Sequence, residues 1–272
     1  MTVVAVGKSS FLAGAVRENS AAKDWLFLSH EEALQDTSWV GRVSSVVNFA
    51  FSPALRTGAY NSAIDIDSSL AALVAGTQAR YIMLSTRAVY GPTSGDFGLK
   101  EGEAENPATP YGRNKLAVEN ALREELGDRL TVLRLGNIFG HEYKKGHGRA
   151  TFFGLSLAGL AERKTIAFDM NPDQPRDFCS AWRFADALAA IVAKPQAGVF
   201  NLGSGFGTPC GKIAELLIEG YGEGRLVVDD KGKNDSFWLD MAKTRAAFGL
   251  PASSHDELRQ DCLACGRALR TA

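Results

Sequence analysis

Tyr111 and Lys115 are the two residues of this chain whose types and spacing could do chemistry together. They stand four residues apart, so a helix would place both side chains on one face, one turn from each other. A nearby ammonium favours phenolate over phenol, and such a pair can move a proton near neutral pH. That step suits reversible hydride chemistry, in which a carbonyl oxygen gains a proton while its carbon gains a hydride.

A hydroxyl residue supplies a third candidate. Residues 81–84 are apolar and predict a buried strand, which runs out into Ser85 and Thr86. Thr86 could hydrogen-bond the reacting oxygen beside Tyr111 and fix its position. Hydroxyl groups at strand ends also commonly cap turns, so a structural role for Thr86 is the alternative.

Two residues before Tyr111 predict where its helix begins. Thr109 is a good N-cap and Pro110 a good first helical residue, so Tyr111 falls in the first turn. The phenol then lies at the exposed mouth of a sheet, and Lys115 follows one turn along. The alternative is that Tyr111 and Lys115 are two exposed side chains on the helix surface and take no part in catalysis.

The turn after the first predicted strand could hold a dinucleotide. In dinucleotide-binding folds, glycines at this turn let the backbone approach a pyrophosphate at a helix N-terminus. Gly7 is the only one of the three usual glycines, and Ser10 and Ala13 occupy the other two positions. A plain strand-to-helix turn is the alternative. If the cofactor binds here, the contacting residues are Gly7, Lys8, Ser9, Ser10, Phe11 and Leu12.

The residues after the second predicted strand bear on which cofactor is bound. NAD-specific folds often carry an acidic residue there for the ribose 2′-hydroxyl. This strand ends at Ser29 and His30, and Lys8 adds a cation, so a 2′-phosphate would be tolerated. We therefore expect NADP(H), with NAD(H) possible. The alternative is that Lys8 is a solvated lysine and that Glu31 or Glu32 takes the acidic role.

Strand-like and helix-like runs alternate through the first half of the chain. Strands are predicted at residues 2–6, 25–28, 43–49, 81–84 and 131–135, and helices at 11–17, 64–75 and 111–126. This alternation predicts an α/β fold, a doubly wound parallel sheet of the Rossmann type. Such sheets bind ligands at the carboxyl ends of their strands, where the motifs above fall.

The second half predicts a smaller lobe. Further helices are expected at 181–192, 213–219 and 256–269, and a strand at 199–202. We predict a dinucleotide-binding domain over 1–140, with 176–195 packing back on it, and a substrate-binding lobe formed by 141–175 and 196–272. The basic, glycine-rich loop 144–149 could close over a diphosphate, and a solvated loop is the alternative.

Composition argues against several classes of protein. The chain has 272 residues, a net charge of −1 and 45% hydrophobic residues, with no basic excess that would call for nucleic acid. No apolar stretch is long enough to cross a membrane and the N-terminus is unlike a signal peptide, so we expect a cytoplasmic protein. Cys262 and Cys265 form a C-x-x-C without a second such pair or paired histidines, so no metal is expected.

Taken in order, these segments resemble the extended short-chain dehydrogenase/reductase family of sugar-nucleotide epimerases, dehydratases and 4-ketoreductases. The resemblance covers nearly the whole chain. It rests on residues 7–13, 48–50, 85–91, 110–115, 134–140, 176–178 and 200–205. It implies that Tyr111 is the acid/base, that Lys115 is its electrostatic partner and a ribose ligand, and that Thr86 orients the sugar oxygen.

The resemblance also implies binding residues. Further cofactor contacts would come from Phe49, Ala50, Phe51 and Ser85. The nucleotide sugar would contact Arg87, Asn137 and Arg176. Arg176 would be the cation for the diphosphate, since a guanidinium fits phosphate geometry. A salt bridge to Asp177 or to a carboxylate of the smaller lobe is the alternative.

Departures from the family pattern narrow the expected reaction. Dehydratases carry Asp-Glu directly after the hydroxyl residue, and Arg87 and Ala88 stand there instead. The segment before Val43 is also short, as in the compact 4-ketoreductases of deoxysugar pathways. The resemblance thus implies reduction of a 4-keto-6-deoxyhexose nucleotide and a homodimer formed through helices 64–75 and 111–126.

Two other interpretations stay open. One is a nucleotide-sugar 4-epimerase with tightly held NAD, which needs the same three residues. The other is a non-catalytic, cofactor-binding regulatory protein on the same fold, which the degenerate glycine turn favours slightly.

Overall fold

Strands and helices alternate through the computed structural model, which describes residues 2–93, 98–143, 151–229, 232 and 235–271. The strands, in chain order, are β1 (Thr2–Val6), β2 (Leu26–Leu28), β3 (Val43–Asn48), β4 (Arg80–Thr86), β5 (Gly98–Leu99), β6 (Leu130–Leu135), β7 (Asn137–Phe139), β8 (Thr165–Phe168), β9 (Pro175–Arg176), β10 (Phe178–Ser180), β11 (Gly198–Leu202), β12 (Thr208–Pro209), β13 (Arg225–Val228) and β14 (Trp238–Leu239). The helices are α1 (Phe11–Arg17), α2 (His30–Gln35), α3 (Ile66–Val74), α4 (Pro110–Leu126), α5 (Phe152–Arg163), α6 (Ala181–Ala193), α7 (Cys210–Tyr221), α8 (Ala242–Phe248) and α9 (His255–Arg270).

Within the described residues, a parallel sheet of six strands forms the centre, in the order β11-β6-β4-β3-β1-β2. Its inner strands are apolar and rich in valine, and they are buried on both faces. One apolar layer packs this sheet against α1 and α6, and another packs it against α3 and α4. The predicted doubly wound parallel sheet is therefore confirmed.

One strand was assigned to the wrong part of the molecule. The strand predicted at 199–202 was placed in the smaller lobe, but β11 pairs in parallel with β6 and forms an edge of the central sheet. Phe200 and Leu202 of β11 join the apolar layer on the α6 side. The remaining division of the chain into two domains stays a prediction.

A third apolar cluster lies in the second half, among α5, α7 and α9. It contains Cys262 and Cys265, whose thiols have raised pKa values because they are buried, that of Cys265 to about 12. Such thiols stay protonated near neutral pH, so they pack as small apolar groups. The predicted basic loop 144–149 lies outside the described residues.

Candidate active site

A groove of about 760 Å³ runs past the carboxyl ends of β1 and β3. We call it the candidate cofactor groove. The predicted cofactor contacts that line it are Gly7, Ser9, Ser10, Ser29, His30, Phe49, Ala50 and Phe51. Glu31, Arg56 and Asp65 also line it. Glu31 was given as the alternative acidic residue, whereas Arg56 and Asp65 were not predicted.

Gly7 keeps the floor of this groove open. Its φ is +95°, and a Cβ there would lie 2.7 Å from the backbone nitrogen of Ala50. Leu34 and Ile64 line the same groove and are 37% and 40% exposed. Exposed apolar side chains beside a narrow backbone floor suit a flat base joined to a pyrophosphate. The residues present therefore fit a dinucleotide.

Three of the six residues predicted at the turn after β1 do not line the groove. Lys8 and Phe11 border a neighbouring groove of about 660 Å³ beside Trp182. Leu12 packs against the core instead. The hydroxyl of Ser10 accepts from the Ala13 backbone and caps α1, so Ser10 has a structural role as well as a place in the groove.

Charged residues at the start of α2 change the interpretation of the cofactor. Lys8 donates to Glu32, so its charge is paired. Ser29 and Glu32 form a capping box at the N-terminus of α2, which occupies the Ser29 hydroxyl. Glu31 lines the groove and lies 3.1 Å from His30. The acidic role that the sequence left open is therefore available to Glu31.

Tyr111 and Lys115 both contact the ring of a third residue, Phe51. The rings of Phe51 and Tyr111 lie edge to face with centroids 5.3 Å apart, and the Lys115 ammonium lies 4.9 Å from the Phe51 centroid. Phe51 lines the groove, so it connects the pair to the predicted cofactor position. The predicted pair on one face of α4 is thus positioned beside the groove.

Lys115 is fixed in place by hydrogen bonds to β4 and to the first turn of α3. Its ammonium donates to the Leu84 carbonyl at 2.9 Å and to Asp67 at 3.3 Å, and both charged side chains are almost fully buried. Burial opposes the charged form of Lys115, but Asp67, Tyr111 and Asp65 outweigh it and raise its pKa. Burial, followed by the charge of Asp67, raises the pKa of Asp65. Lys115 therefore stays charged near neutral pH. A hydrogen bond from its ammonium to the ribose hydroxyls of a cofactor stays a prediction.

Thr86 ends β4 beside the first turn of α4. Its hydroxyl oxygen accepts from Ala88 at 3.2 Å and caps the short turn that follows the strand, as the structural alternative expected. Gly112 lies against this turn, because a Cβ there would be 2.6 Å from the Ala88 carbonyl oxygen. This close contact brings the helix turn of Tyr111 onto the turn of Thr86. An accepting hydroxyl still has its own proton to donate to a ligand.

A buried ion pair between β6 and α4 is hydrogen-bonded to the end of β4. Arg134 of β6 pairs with Glu119 of α4 at 2.6 Å, and both side chains are almost fully buried. Glu119 also accepts from the Ser85 hydroxyl, so Ser85 is used inside the protein rather than in the groove. Glu105 is a second carboxylate on Arg134, which stacks over the ring of Tyr90. The predicted cofactor contact from the Ser85 side chain is not supported by this arrangement.

The two arginines predicted to bind substrate share one carboxylate. Arg87 binds both carboxylate oxygens of Asp235, and its guanidinium lies 3.9 Å from the centroid of the Phe237 ring. Arg176 donates to the Asp235 carbonyl at 3.1 Å and lies 3.6 Å from its carboxylate. The alternative predicted for Arg176, a carboxylate of the smaller lobe, is therefore realised in this structure. Asp177 is buried and accepts from backbone groups instead.

Arg176 and Asp235 are among the residues that line a second pocket, of about 370 Å³. Phe152 and Phe168 line it, together with Leu155, which is 62% exposed. Asn137 is not among its lining residues, and its side-chain amide donates to the Asp177 carbonyl at 2.9 Å. Its amide oxygen remains an acceptor, so substrate contact from Asn137 stays a prediction.

Two functional carboxylates were missed, although the sequence carries a signal for each. Asp67 precedes Leu70, Ala71 and Val74 at spacings of three, four and seven, so it begins the buried face of α3. Glu119 likewise lies on the buried face of α4. A carboxylate on an apolar helix face requires a buried cation, and Lys115 and Arg134 are those cations.

The described residues contain neither a metal-binding cluster nor a membrane-spanning helix. No three His, Cys, Asp or Glu side chains come close enough there to hold a metal ion. In the same part of the chain, no helix has the length and apolar character needed to span a bilayer.

The chain matches the NAD dependent epimerase/dehydratase family over residues 37–203, which is more than half of its length. It is 32% identical to dTDP-L-rhamnose 4-epimerase from Burkholderia thailandensis over 121 residues, which cover 43% of this chain and 33% of that protein. It is 26% identical to ADP-L-glycero-D-manno-heptose-6-epimerase from Alkalilimnicola ehrlichii, over 78% of this chain and 66% of that one. The chain thus spans less than two thirds of the length of both curated relatives.

Solved structures resemble the chain over nearly its whole length. UDP-glucose 4-epimerase from Thermotoga maritima, determined with UDP-glucose, gives a TM-score of 0.81 at 20% identity and covers 100% of this chain and 99% of that one. RMD from Pseudomonas aeruginosa, complexed with NADPH, gives a TM-score of 0.77 at 19% identity. The match covers 98% of this chain and 99% of that one. At these identities the likeness shows the fold.

Proposed function

Because the chain belongs to the NAD dependent epimerase/dehydratase family, we propose that it interconverts an alcohol and a carbonyl on the sugar of a nucleotide sugar. The observation that carries this proposal is the contact of Tyr111 and Lys115 with Phe51, a residue of the candidate cofactor groove. A bound nicotinamide dinucleotide supplies or accepts the hydride in such chemistry. Tyr111 exchanges the proton with the sugar oxygen, and Thr86 donates a hydrogen bond that orients this oxygen.

The second pocket supports a nucleotide as the other half of the substrate. Phenylalanine side chains and an exposed leucine surround a space of about 370 Å³, which suits a planar base. Arg176 lines it as well and offers a cation for the diphosphate. In this proposal Asp235 releases Arg176 when the diphosphate binds.

Reduction of a 4-keto-6-deoxyhexose nucleotide is the first candidate for the finer reaction. The central sheet ends at β2 on one side, which agrees with the compact pattern that the sequence shares with 4-ketoreductases. Elimination of water is disfavoured, because Arg87 and Ala88 stand where dehydratases carry their acid and base. Arg87 is moreover occupied by Asp235.

Epimerisation at C4 is the second candidate, and the names of the relatives favour it. Both curated relatives are epimerases, and one of them is a 4-epimerase. The two reactions need the same residues and differ in whether the cofactor is consumed. Incubation with NADH or NADPH and a panel of 4-keto and 4-hydroxy nucleotide sugars separates them. Stoichiometric loss of reduced cofactor would establish the reductase, and isomerisation without net oxidation would establish the epimerase.

The cofactor preference is testable in the same assay. The sequence favoured NADP(H) because of Lys8, but Lys8 is paired with Glu32 and the carboxylate of Glu31 lines the groove. We therefore propose that NAD(H) binds more tightly, since a carboxylate would repel a 2′-phosphate. Glu31→Gln should then improve NADP(H) binding and weaken NAD(H) binding, because the carboxylate that would accept from the ribose 2′-hydroxyl is lost. A wild-type protein that binds NADPH more tightly than NADH would contradict this assignment.

A non-catalytic regulatory role is the remaining alternative. It would require that no nucleotide sugar in the panel is turned over by a folded, cofactor-binding protein. The intact set of Thr86, Tyr111 and Lys115 argues against it, because a protein that only binds the cofactor has no need of all three.

A further inference from the structure

Arg56 is a cation beside Tyr111 that the proposed reaction has not used. It lies in the short turn Pro53–Arg56 after β3, and its guanidinium carbon is 5.2 Å from the centroid of the Tyr111 ring. The same carbon lies 5.9 Å from the Phe51 centroid. Arg56 also lines the candidate cofactor groove. A guanidinium over an aromatic ring at this distance is held by a cation–π contact.

The turn that carries Arg56 is fixed to the helix that carries Tyr111. Asn114 of α4 is buried, and its amide donates to the carbonyls of Leu55 at 2.7 Å and Gly58 at 2.9 Å. Leu55 is 1% exposed and anchors the turn in the protein. The placement of Arg56 over Tyr111 therefore follows from buried contacts on both sides of it, although its own side chain is exposed.

Lys115 alone is a weaker cation for Tyr111 than the sequence suggests. Asp67 lies 3.3 Å from its ammonium in a buried pair, and Asp65 lies close enough to act on Lys115 as well. Opposite charges this close cancel much of each other's field at a third group. Arg113, on the same helix as Tyr111, donates to the Ala108 carbonyl and is exposed. Lys115 and Arg56 are thus two cations that act on Tyr111, with Asp67 and Asp65 behind Lys115.

We propose that Arg56 is a positioning residue for proton transfer, a second cation that stabilises the Tyr111 phenolate where Asp67 offsets the charge of Lys115. The inference rests on the proposed function, in which the phenol proton of Tyr111 passes to the oxygen of the sugar. The negative charge that remains on Tyr111 then lies beside Arg56. The reverse reaction returns the proton to the same phenolate.

The test is an ultraviolet titration of the phenolate in the protein without substrate. The difference between wild type and Tyr111→Phe isolates Tyr111, and the same difference is taken in an Arg56→Ala background. The phenolate should form at a pH higher by roughly half a unit to one unit in Arg56→Ala, since the lost cation is solvent-exposed. Arg56→Lys should restore most of the shift, and Arg113→Ala is the matched control that should leave the titration unchanged.

Asp67→Asn supplies the opposite change. It frees the charge of Lys115, so the phenolate should form at lower pH. If this variant does not fold, the comparison of Arg56→Ala with Arg56→Lys decides alone. An unchanged titration in Arg56→Ala, or an equal shift in Arg113→Ala, would overturn the inference.

Measurements of dinucleotide binding and of turnover separate this inference from a cofactor-binding role of Arg56 and from a failure of the proposed function. If Arg56 only holds a phosphate of the cofactor, Arg56→Ala weakens dinucleotide binding and leaves the titration unchanged, which also overturns the proposal. The titration needs no turnover, so it reads the same if the proposed reaction is wrong. If the proposed function is wrong, the Tyr111→Phe variant turns over substrate as fast as wild type does.

Discussion

Tyr111 depends on residues from two other segments and from the next turn of its own helix. Phe51 and Arg56 come from the segment after β3, Lys115 from the next turn of α4, and Asp67 from α3 behind Lys115. In our proposal, Lys115 and Arg56 stabilise the phenolate that proton transfer leaves on Tyr111, and Asp67 opposes them. This balance makes the site sensitive to single charge changes.

Replacing Tyr111 with phenylalanine tests the central role. Loss of the proton donor should lower turnover by about 10²-fold or more, because general acid–base catalysis contributes that much. Phe51 would still contact the new ring, so the denaturation midpoint should change little. Tyr60→Phe is the matched control, since the Tyr60 hydroxyl lies 3.3 Å from that of Ser68 and the substitution removes a phenol elsewhere. Equal turnover in Tyr111→Phe and wild type would remove Tyr111 from the mechanism.

Asp65 predicts a pH dependence of stability. Burial and the charge of Asp67 raise its pKa, so the folded protein binds this proton more tightly than the unfolded chain does. Wild type therefore loses stability as pH rises from the ordinary carboxyl value through the raised one. Asp65→Asn keeps an oxygen for the N-cap of α3 but carries no charge. It should match wild type at low pH and be the more stable of the two near pH 8.

Urea denaturation of both proteins at several pH values measures this difference. A variant that is less stable than wild type at every pH would show that the charge of Asp65 is needed, for example to balance Lys115.

At the scale of elements, the contact between α4 and the turn after β4 decides the geometry of the site. Gly112→Ala would put a Cβ 2.6 Å from the Ala88 carbonyl oxygen, so the helix or the turn must move. We expect a loss of about 1–3 kcal/mol in unfolding free energy. Turnover should fall as well, because Tyr111 and Thr86 lie on the two sides of this contact.

Gly14→Ala in α1 is the control for that substitution. A Cβ at Gly14 meets nothing within 4 Å, so alanine there should stabilise the helix slightly. If both variants lose the same stability, the contact at Ala88 does not explain the effect of Gly112→Ala.

The periodicity of the sequence predicted the longer elements of the first half, because each of them is long enough to show its own period. The strand at 43–49, for example, is observed as Val43–Asn48. The six-residue helix α2 and the two-residue strand β5 were not predicted. Periodicity says nothing about which strand pairs with which, so β11 was placed in the wrong part of the molecule. The segment after β3 has no period, so its path, which brings Phe51 and Arg56 over Tyr111, could not be predicted.

The same limit explains why the sequence does not show which side chains pair with the predicted cations. Lys8, Arg87 and Arg176 were recognised as cations, but the sequence does not show which carboxylates fold against them. Glu32 and Asp235 are those carboxylates. The outcome matters chemically, because a paired cation must give up its partner before it can bind a phosphate.

At the scale of the whole molecule, the family resemblance predicts a homodimer through α3 and α4, and the surface of α4 constrains it. The outward residues of α4 include Arg113, Arg123, Glu124 and Glu125, all of which are exposed. An interface built on this face would bury charged side chains, so it would depend on ion pairs between the two copies. Such pairs weaken as salt screens them.

We therefore expect a dimer mass by light scattering at low ionic strength and a shift towards monomer at high salt. Arg123→Glu should cause dissociation even at low salt, because it places like charges on the same helix face. Arg259→Glu on α9 is the matched control, since Arg259 is also an exposed arginine paired with a glutamate, Glu219, and lies outside the predicted interface. A monomeric wild type at low salt would contradict the dimer, and dissociation by both variants would place the interface elsewhere.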